Sequence, residues 1–227
     1  WVSALLTTFS GFFTIYWVSP DNFTVFALVG SVCLYLIARG IETNSARVAF
    51  LAGLFAGLSH LTRADGLLLL VILPLGLLFR LRRDGARALD FFLLTFALLF
   101  GYLLVMTPWF IRNLLVVGTP LPSAGTKTIW LTNYDELFRY ADDLTPARYF
   151  ASGIIAIIGA KANAALQNFF ILIFSSLVLF LAPFTVIGWW QARRRVEFLP
   201  CALYTVLLFF VMTFVFTFPS WRGTLFQ

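Results

Sequence analysis

The chain has 227 residues, of which 61% are hydrophobic and 11% are charged, and its mean hydropathy is +0.92. Soluble domains are about 45–50% apolar and about 25% charged, so this composition excludes an ordinary soluble domain and predicts an integral membrane protein. The formal net charge of +6 does not indicate nucleic-acid binding, because the arginines stand in short clusters beside apolar runs, as in the loops that orient membrane spans.

Apolar runs of the length of a membrane helix recur along the whole chain. A bilayer core of about 30 Å is crossed by roughly 20 helical residues. On this criterion we predict an all-α, polytopic bundle of about seven spans, near residues 1–18, 20–38, 47–60, 66–80, 89–111, 166–190 and 198–218. Because the sequence starts at Trp1 and stops at Gln227 beside apolar runs, we expect one transmembrane domain, 1–227, truncated at both ends.

Arginine clusters indicate which loops face the cytoplasm. Basic residues in short loops concentrate on the cytoplasmic side of a membrane. Three connections alternate correctly to share that side, and they contain Arg39 and Arg47, Arg80 to Arg87, and Arg193 to Arg195. The long loop 112–150 then lies on the opposite side. We therefore expect a multi-pass protein of a bacterial or archaeal plasma membrane, with its active face outward.

A short polar break interrupts the apolar sequence at Leu58 to Gly66, where His60, Arg63 and Asp65 stand between two predicted spans. Charge in such a position is costly and marks a ligand site or a structural ion pair. Arg63 carries a planar fork of donors suited to phosphate, and its alternative role is an ion pair with Asp65. His60 is either a proton carrier or a hydrogen-bonded helix-end residue. Asp65 either caps the next span or lines a ligand pocket.

Further polar residues fall on the predicted outer side. Asp21 stands at the start of a span and either lies in its first turn as a helix-start residue or faces an outer cavity, where it binds a hydroxyl or a cation. Lys127, in the long loop, either pairs with a phosphate or stays solvated. Thr145 followed by Pro146 predicts a cap and a helix start, and the stretch 146–165 predicts a helix along the outer interface.

Small residues repeat at helical spacing in the third predicted span, at Ala49, Gly53 and Gly57. A stripe of small side chains every fourth residue lets two helix backbones approach closely within a membrane. The pattern therefore predicts a tight helix contact along this face.

Four motifs of the chain occur in an order and spacing that resemble a known superfamily. They are Gly53 to Leu70 with its Leu-Thr-Arg-x-Asp-Gly core, Pro108 to Asn113, Gly118 to Pro122, and Thr217 to Gly223. Together they resemble the C-type membrane glycosyltransferases. That superfamily includes dolichyl-phosphate-mannose protein mannosyltransferases and bacterial relatives of the aminoarabinose lipid A transferases.

The resemblance implies that the protein takes a sugar from a polyprenyl-phosphate carrier and passes it to a lipid, glycan or protein acceptor on the non-cytoplasmic face. The cations that would face the carrier phosphate are Arg63, Arg112, Arg222 and Lys127. The side chains that would shape the sugar or acceptor pocket are Asp21, His60 and Asp65. The catalytic carboxylate of that superfamily lies in the first outer loop, and the sequence has no counterpart, so the catalytic residue stays unknown. The resemblance fixes no cofactor and leaves a divalent metal open.

Two other functions fit a membrane protein with cationic groups on its outer side. The first is a transporter or flippase of a lipid-linked sugar, which would place ionisable groups near mid-span and show inverted internal symmetry; the sequence shows neither feature. The second is a non-catalytic membrane subunit, in which the polar turns act only as helix caps. An acidic residue in a sizeable first outer loop would favour the enzyme over both.

Overall fold

The computed structural model describes residues 22–84, 87–121, 127–133, 135–136, 144–173, 178–192 and 195–218. Every regular element within these ranges is helical. The α-helices are α1 Phe23–Thr43, α2 Ala46–Thr62, α3 Leu69–Asp84, α4 Ala88–Val117, α5 Pro146–Ala151, α6 Ile154–Ile171, α7 Val178–Ala192 and α8 Leu199–Phe210. Short helical turns accompany them at Ala64–Leu68, Thr128–Trp130, Val196–Phe198 and Val211–Val215. The all-α prediction is confirmed for this part of the chain.

Within the described ranges, five helices are long and apolar enough to cross a membrane. They are Phe23–Thr43, Ala64–Arg82, Ala88–Val117, Ile154–Ile171 and Val196–Val215. A sixth apolar helix, α2, has 17 residues and is shorter than a standard span. The chain is therefore an integral membrane protein. The predicted span 1–18 lies outside the described residues, so the count of about seven spans stays a prediction.

Three predicted boundaries differ from the structure. One is the start of the predicted span 166–190, which lies inside α6 because that helix runs from Ile154 to Ile171. Helix α4 has 30 residues, which corresponds to about 45 Å, and it continues past Arg112 to Val117, so the predicted loop 112–150 begins inside a helix. The predicted interfacial stretch 146–165 is divided between α5 and α6 at Gly153, whose φ of +86° favours glycine. Whether α6 lies along the interface or crosses the membrane stays a prediction, although its composition suits a span.

The chain divides into two compact units. The first comprises Trp1–Pro108 and Ala192–Tyr204, and the second comprises Trp109–Gln191 and Thr205–Gln227. The first unit is built around α2, which packs against α1. The fully buried side chains that form its core include Ile37, Ile41, Leu69, Ile72, Leu73, Leu94 and Leu98.

Glycines let α2 approach the first part of α4 within the first unit. A Cβ atom added to Gly53 would lie 2.0 Å from the Leu98 carbonyl oxygen, and one added to Gly57 would lie 2.8 Å from the Val105 Cβ atom. Gly101 meets α2 in the same way, at 2.2 Å from the Phe50 carbonyl oxygen. The close contact predicted from Gly53 and Gly57 is confirmed.

In the second unit, α5 begins as the sequence predicts. The Thr145 hydroxyl accepts a hydrogen bond from the Arg148 backbone N–H at 3.3 Å, and Pro146 occupies the first helical position. The last described helix changes from α-helical to π-helical geometry over Val211–Val215. Thr217 follows with a φ of +55°, which is rare for a β-branched residue.

Candidate functional site

The polar junction, defined as Leu58 to Gly66, folds back through its own backbone hydrogen bonds. Helix α2 ends at Thr62, and the Arg63 backbone N–H donates to the Ser59 carbonyl at 2.9 Å. The Gly66 N–H donates to the Arg63 carbonyl at 3.0 Å. A Cβ atom on Gly66 would lie 2.4 Å from the His60 backbone nitrogen, so only glycine fits this turn. The chain therefore leaves α2 and enters the next helix without a loop.

Arg63 and Asp65 form an ion pair at this junction. The Arg63 Nε and Nη2 atoms both approach Asp65 Oδ2, at 3.0 and 2.9 Å. The two side chains are only 16% and 15% exposed. The guanidinium also lies over the rings of Phe23, at 4.4 Å, and Phe26, at 5.7 Å, and such cation–π contacts further stabilise the charge.

The ion pair is one of the two roles that the sequence leaves open for Arg63. Asp65 does not cap the following helix, because it lies inside the turn Ala64–Leu68 and that turn has no side-chain cap. The guanidinium has five N–H donors, of which Asp65 takes two. Among the described residues no other acceptor binds the rest, so Arg63 retains donors for an anionic ligand while its position is fixed.

His60 and Asn22 connect the polar junction to other helices through hydrogen bonds. The His60 Nδ1 atom lies 2.7 Å from the Tyr102 hydroxyl, and the two rings are nearly parallel at 5.9 Å. Asn22, directly before α1, donates from Nδ2 to the Thr62 carbonyl at 2.7 Å, which satisfies one of the carbonyls left open at the end of α2. His60 is therefore hydrogen-bonded near the end of α2, and its place in a ligand pocket stays a prediction.

Tyr204, the last residue of the first unit, interacts electrostatically with the ion pair of the polar junction, and the sequence does not predict this. Its phenol oxygen is buried and has no hydrogen-bond partner within the described part of the chain. The charges of Asp65 and Arg63 both act on this phenol. A buried hydroxyl that has no hydrogen-bond partner among the described residues is unusual in a folded protein.

The other predicted site residues lie in the second unit or outside the described residues. Arg112 belongs to the second unit, is exposed, and donates to the Asn113 side-chain oxygen at 3.3 Å. Lys127 is exposed before the turn Thr128–Trp130. Asp21 and Arg222 lie outside the described residues. A common site for Arg63, Arg112 and Arg222 therefore stays a prediction.

The second unit contains a polar cluster of its own, formed by α6 and residues 211–218. Lys161 donates from Nζ to the Val215 carbonyl at 3.2 Å and also to the Thr217 hydroxyl. Asn168 is fully buried and donates to the Thr213 hydroxyl at 2.8 Å and to the Phe218 carbonyl at 2.9 Å. These bonds satisfy the irregular backbone of the π-helical segment, and no sequence motif indicated them.

No group of three or more His, Cys, Asp or Glu side chains within the described ranges is arranged to hold a metal ion. The polar junction contributes one histidine and one carboxylate, and the carboxylate is engaged by Arg63. A divalent metal stays a prediction. The chemistry that the described junction offers is the binding of an anion by a guanidinium, with hydroxyl, imidazole and carboxylate groups nearby.

Comparisons with protein-family models, with curated proteins and with solved structures find no match to this chain.

Proposed function

We propose that this protein is a membrane glycosyltransferase that moves a sugar from a polyprenyl-phosphate carrier to a lipid, glycan or protein acceptor on the non-cytoplasmic face. The observation that carries the proposal is the fixed, partly buried Arg63 at the end of the apolar helix α2. A guanidinium in this position binds the phosphate of a ligand whose remaining bulk is apolar. The motif resemblance supplies the reaction type.

Arg63 takes the role of the principal phosphate-binding cation. Its contact with Asp65 fixes the orientation of the guanidinium, and preorganised donors stabilise developing charge better than mobile ones. The planar donor fork matches two oxygens of a phosphate. Arg112, Arg222 and Lys127 are the further cations of the proposal. Each would increase the affinity for the carrier phosphate.

The reaction exchanges one bond at the anomeric carbon of the sugar. The acceptor hydroxyl loses its proton to a carboxylate and its oxygen bonds to that carbon, while the bond from the carbon to the carrier phosphate breaks. The departing lipid phosphate keeps the electron pair and is stabilised by Arg63. Asp65 is a positioning residue in this scheme, and Asp21 and His60 line the sugar or acceptor pocket. The carboxylate that accepts the proton stays unassigned.

Transfer is tested with the protein in proteoliposomes supplied with a panel of polyprenyl-phosphate sugars, following the release of free polyprenyl phosphate. We expect Arg63→Ala to lower the rate by about 100-fold or more, as does the loss of a group that stabilises charge in a transition state. The matched control is Arg39→Ala, because Arg39 also pairs with a nearby acid, Glu42, at 2.7 Å, but lies on the predicted cytoplasmic side. Wild-type transfer by the Arg63→Ala protein would overturn the assignment.

The same vesicles separate the competing functions. A flippase would move the intact lipid-linked sugar between leaflets without releasing free carrier, and a non-catalytic subunit would do neither. Release of polyprenyl phosphate with appearance of a glycosylated acceptor is the outcome that only the enzyme produces.

The outward orientation of the site is tested by cysteine labelling. Arg87 and Thr119 are both exposed and stand at opposite ends of α4. In a background without Cys33 and Cys201, we expect Arg87→Cys to react only from the cytoplasmic side and Thr119→Cys only from the outer side. Labelling of both from one side would contradict the predicted topology.

A further inference from the structure

A cavity lies within the second unit, between the turn Thr128–Trp130 and α5. Its volume is about 320 Å³, at the small end of the range of about 300–1,000 Å³ typical of small-molecule sites. The lining residues used below are Trp130, Thr132, Glu136, Arg148, Tyr149 and Ser152. None of them belongs to the polar junction.

One wall of this cavity is a fixed carboxylate. The Glu136 side chain is 10% exposed, and it accepts hydrogen bonds from the Thr132 backbone N–H at 3.1 Å and from the Thr132 hydroxyl at 2.6 Å. Arg148 donates to the same carboxylate at 3.2 Å. The Glu136–Arg148 pair therefore provides hydrogen-bond acceptors and donors with fixed directions on this wall.

The lining of the cavity also includes aromatic rings. The Trp130 ring packs edge-on against Tyr149 at 5.8 Å and is tilted against Phe150 at 6.3 Å. Both Trp130 and Tyr149 are half-buried, so their rings are held in place but remain accessible. Burial raises the pKa of the Tyr149 phenol, which therefore stays protonated at neutral pH.

We propose that this cavity binds a neutral saccharide. A sugar ring presents C–H groups on a face that packs against an aromatic ring, and hydroxyls at its edge that need both donors and acceptors. The cavity supplies the first through Trp130 and the second through the Glu136–Arg148 pair and the Ser152 hydroxyl. Its volume admits a sugar of one or two rings. Such a subsite recognises the sugar separately from the carrier phosphate, and it exists whether or not transfer occurs.

The test uses the wild-type protein in detergent micelles and a methyl hexopyranoside that carries a photoreactive diazirine on its methyl group. We expect cross-links, mapped by mass spectrometry, to fall on the lining residues named above and to be suppressed by unmodified methyl hexopyranosides. Inorganic phosphate should not suppress them. Cross-links elsewhere, no cross-links at saturating probe, or suppression by phosphate would each overturn the proposal.

Three variants sharpen this result. Trp130→Ala should lower labelling by about tenfold, because it removes the aromatic wall, whereas Trp189→Ala, at an exposed tryptophan of α7, should leave it unchanged. Trp130→Phe preserves a ring at the wall and should retain most of the labelling, which separates lost stacking from lost folding. Because labelling needs neither a lipid donor nor Arg63, its failure would leave the proposed transfer reaction standing, and failure of transfer would leave this site standing.

Discussion

The polar junction of the first unit and the Lys161–Asn168 cluster of the second unit satisfy charge among apolar helices in opposite ways. At the junction, Arg63 is neutralised by a carboxylate two residues away. In the second unit, Lys161 is held by a backbone carbonyl and a hydroxyl, contributed by residues more than fifty positions later. The first arrangement leaves an arginine with spare donors, and the second uses a lysine to complete an irregular helix end. The comparison favours a ligand site at the junction and a structural role for Lys161.

The largest effect should come from breaking the helix contact on which the junction rests. Gly53→Ala places a methyl group against the Leu98 carbonyl, where the Cβ atom has only 2.0 Å, so α2 and α4 must separate. We expect a loss of about 3 kcal/mol or more, the upper range for overpacking, measured by unfolding in an SDS titration. In the second unit, Gly159→Ala has nothing within 4 Å and should stabilise α6 by about 0.5–1 kcal/mol. Equal stability of the two variants would contradict the contact.

The second prediction concerns the buried asparagine of the second unit. Asn168→Leu removes the hydrogen bonds that Asn168 Nδ2 donates to the buried Thr213 hydroxyl and to the Phe218 carbonyl, and the loss of a buried hydrogen-bond donor costs about 1–3 kcal/mol. We expect a loss of about 2 kcal/mol in the same titration. Asn163→Leu, at an exposed position of the same helix, is the control and should change stability little. If Asn168→Leu changes the stability no more than Asn163→Leu does, the hydrogen bonds of Asn168 make no net contribution to stability.

The two regions also differ in how far the sequence predicts them. The sequence predicts the ion pair as one of two roles for Arg63, because Arg63 and Asp65 are close in the chain. It also predicts the contact of α2 with α4 from the glycine stripe of α2. The sequence does not predict that Tyr102 and Tyr204 belong to the junction, because each lies on another helix and neither stands in a motif. Lys161 and Asn168 interrupt an apolar helix visibly, but their partners depend on where a distant π-helical segment ends. Sequence spacing predicts contacts between residues that are close in the chain, whereas contacts between residues on different helices depend on tertiary packing.

The third prediction compares the Arg63–Asp65 pair with a more exposed pair. In a double-mutant cycle with Arg63→Met and Asp65→Asn, we expect a coupling of about 1–2 kcal/mol, between the values for exposed and fully buried pairs. The Arg39–Glu42 pair has side chains that are 50% and 24% exposed and should couple by less than about 0.5 kcal/mol. Added salt should reduce only the weaker coupling appreciably. Similar couplings would show that Arg63 is more hydrated than its burial indicates.

The smallest effect should follow Tyr102→Phe, which removes a single hydroxyl from the junction. The lost hydrogen bond to His60 is worth about 0.5–1.5 kcal/mol, while the stacked ring and its packing against α2 remain. Tyr35→Phe, on an exposed face of α1, serves as the control in the SDS titration. If both substitutions are neutral, the hydroxyl does not stabilise the junction, and its 2.7 Å contact serves instead to orient the imidazole. In that case Tyr102→Phe should lower transfer activity without lowering stability. Such a result would indicate that His60 contacts the ligand and does not only stabilise the junction.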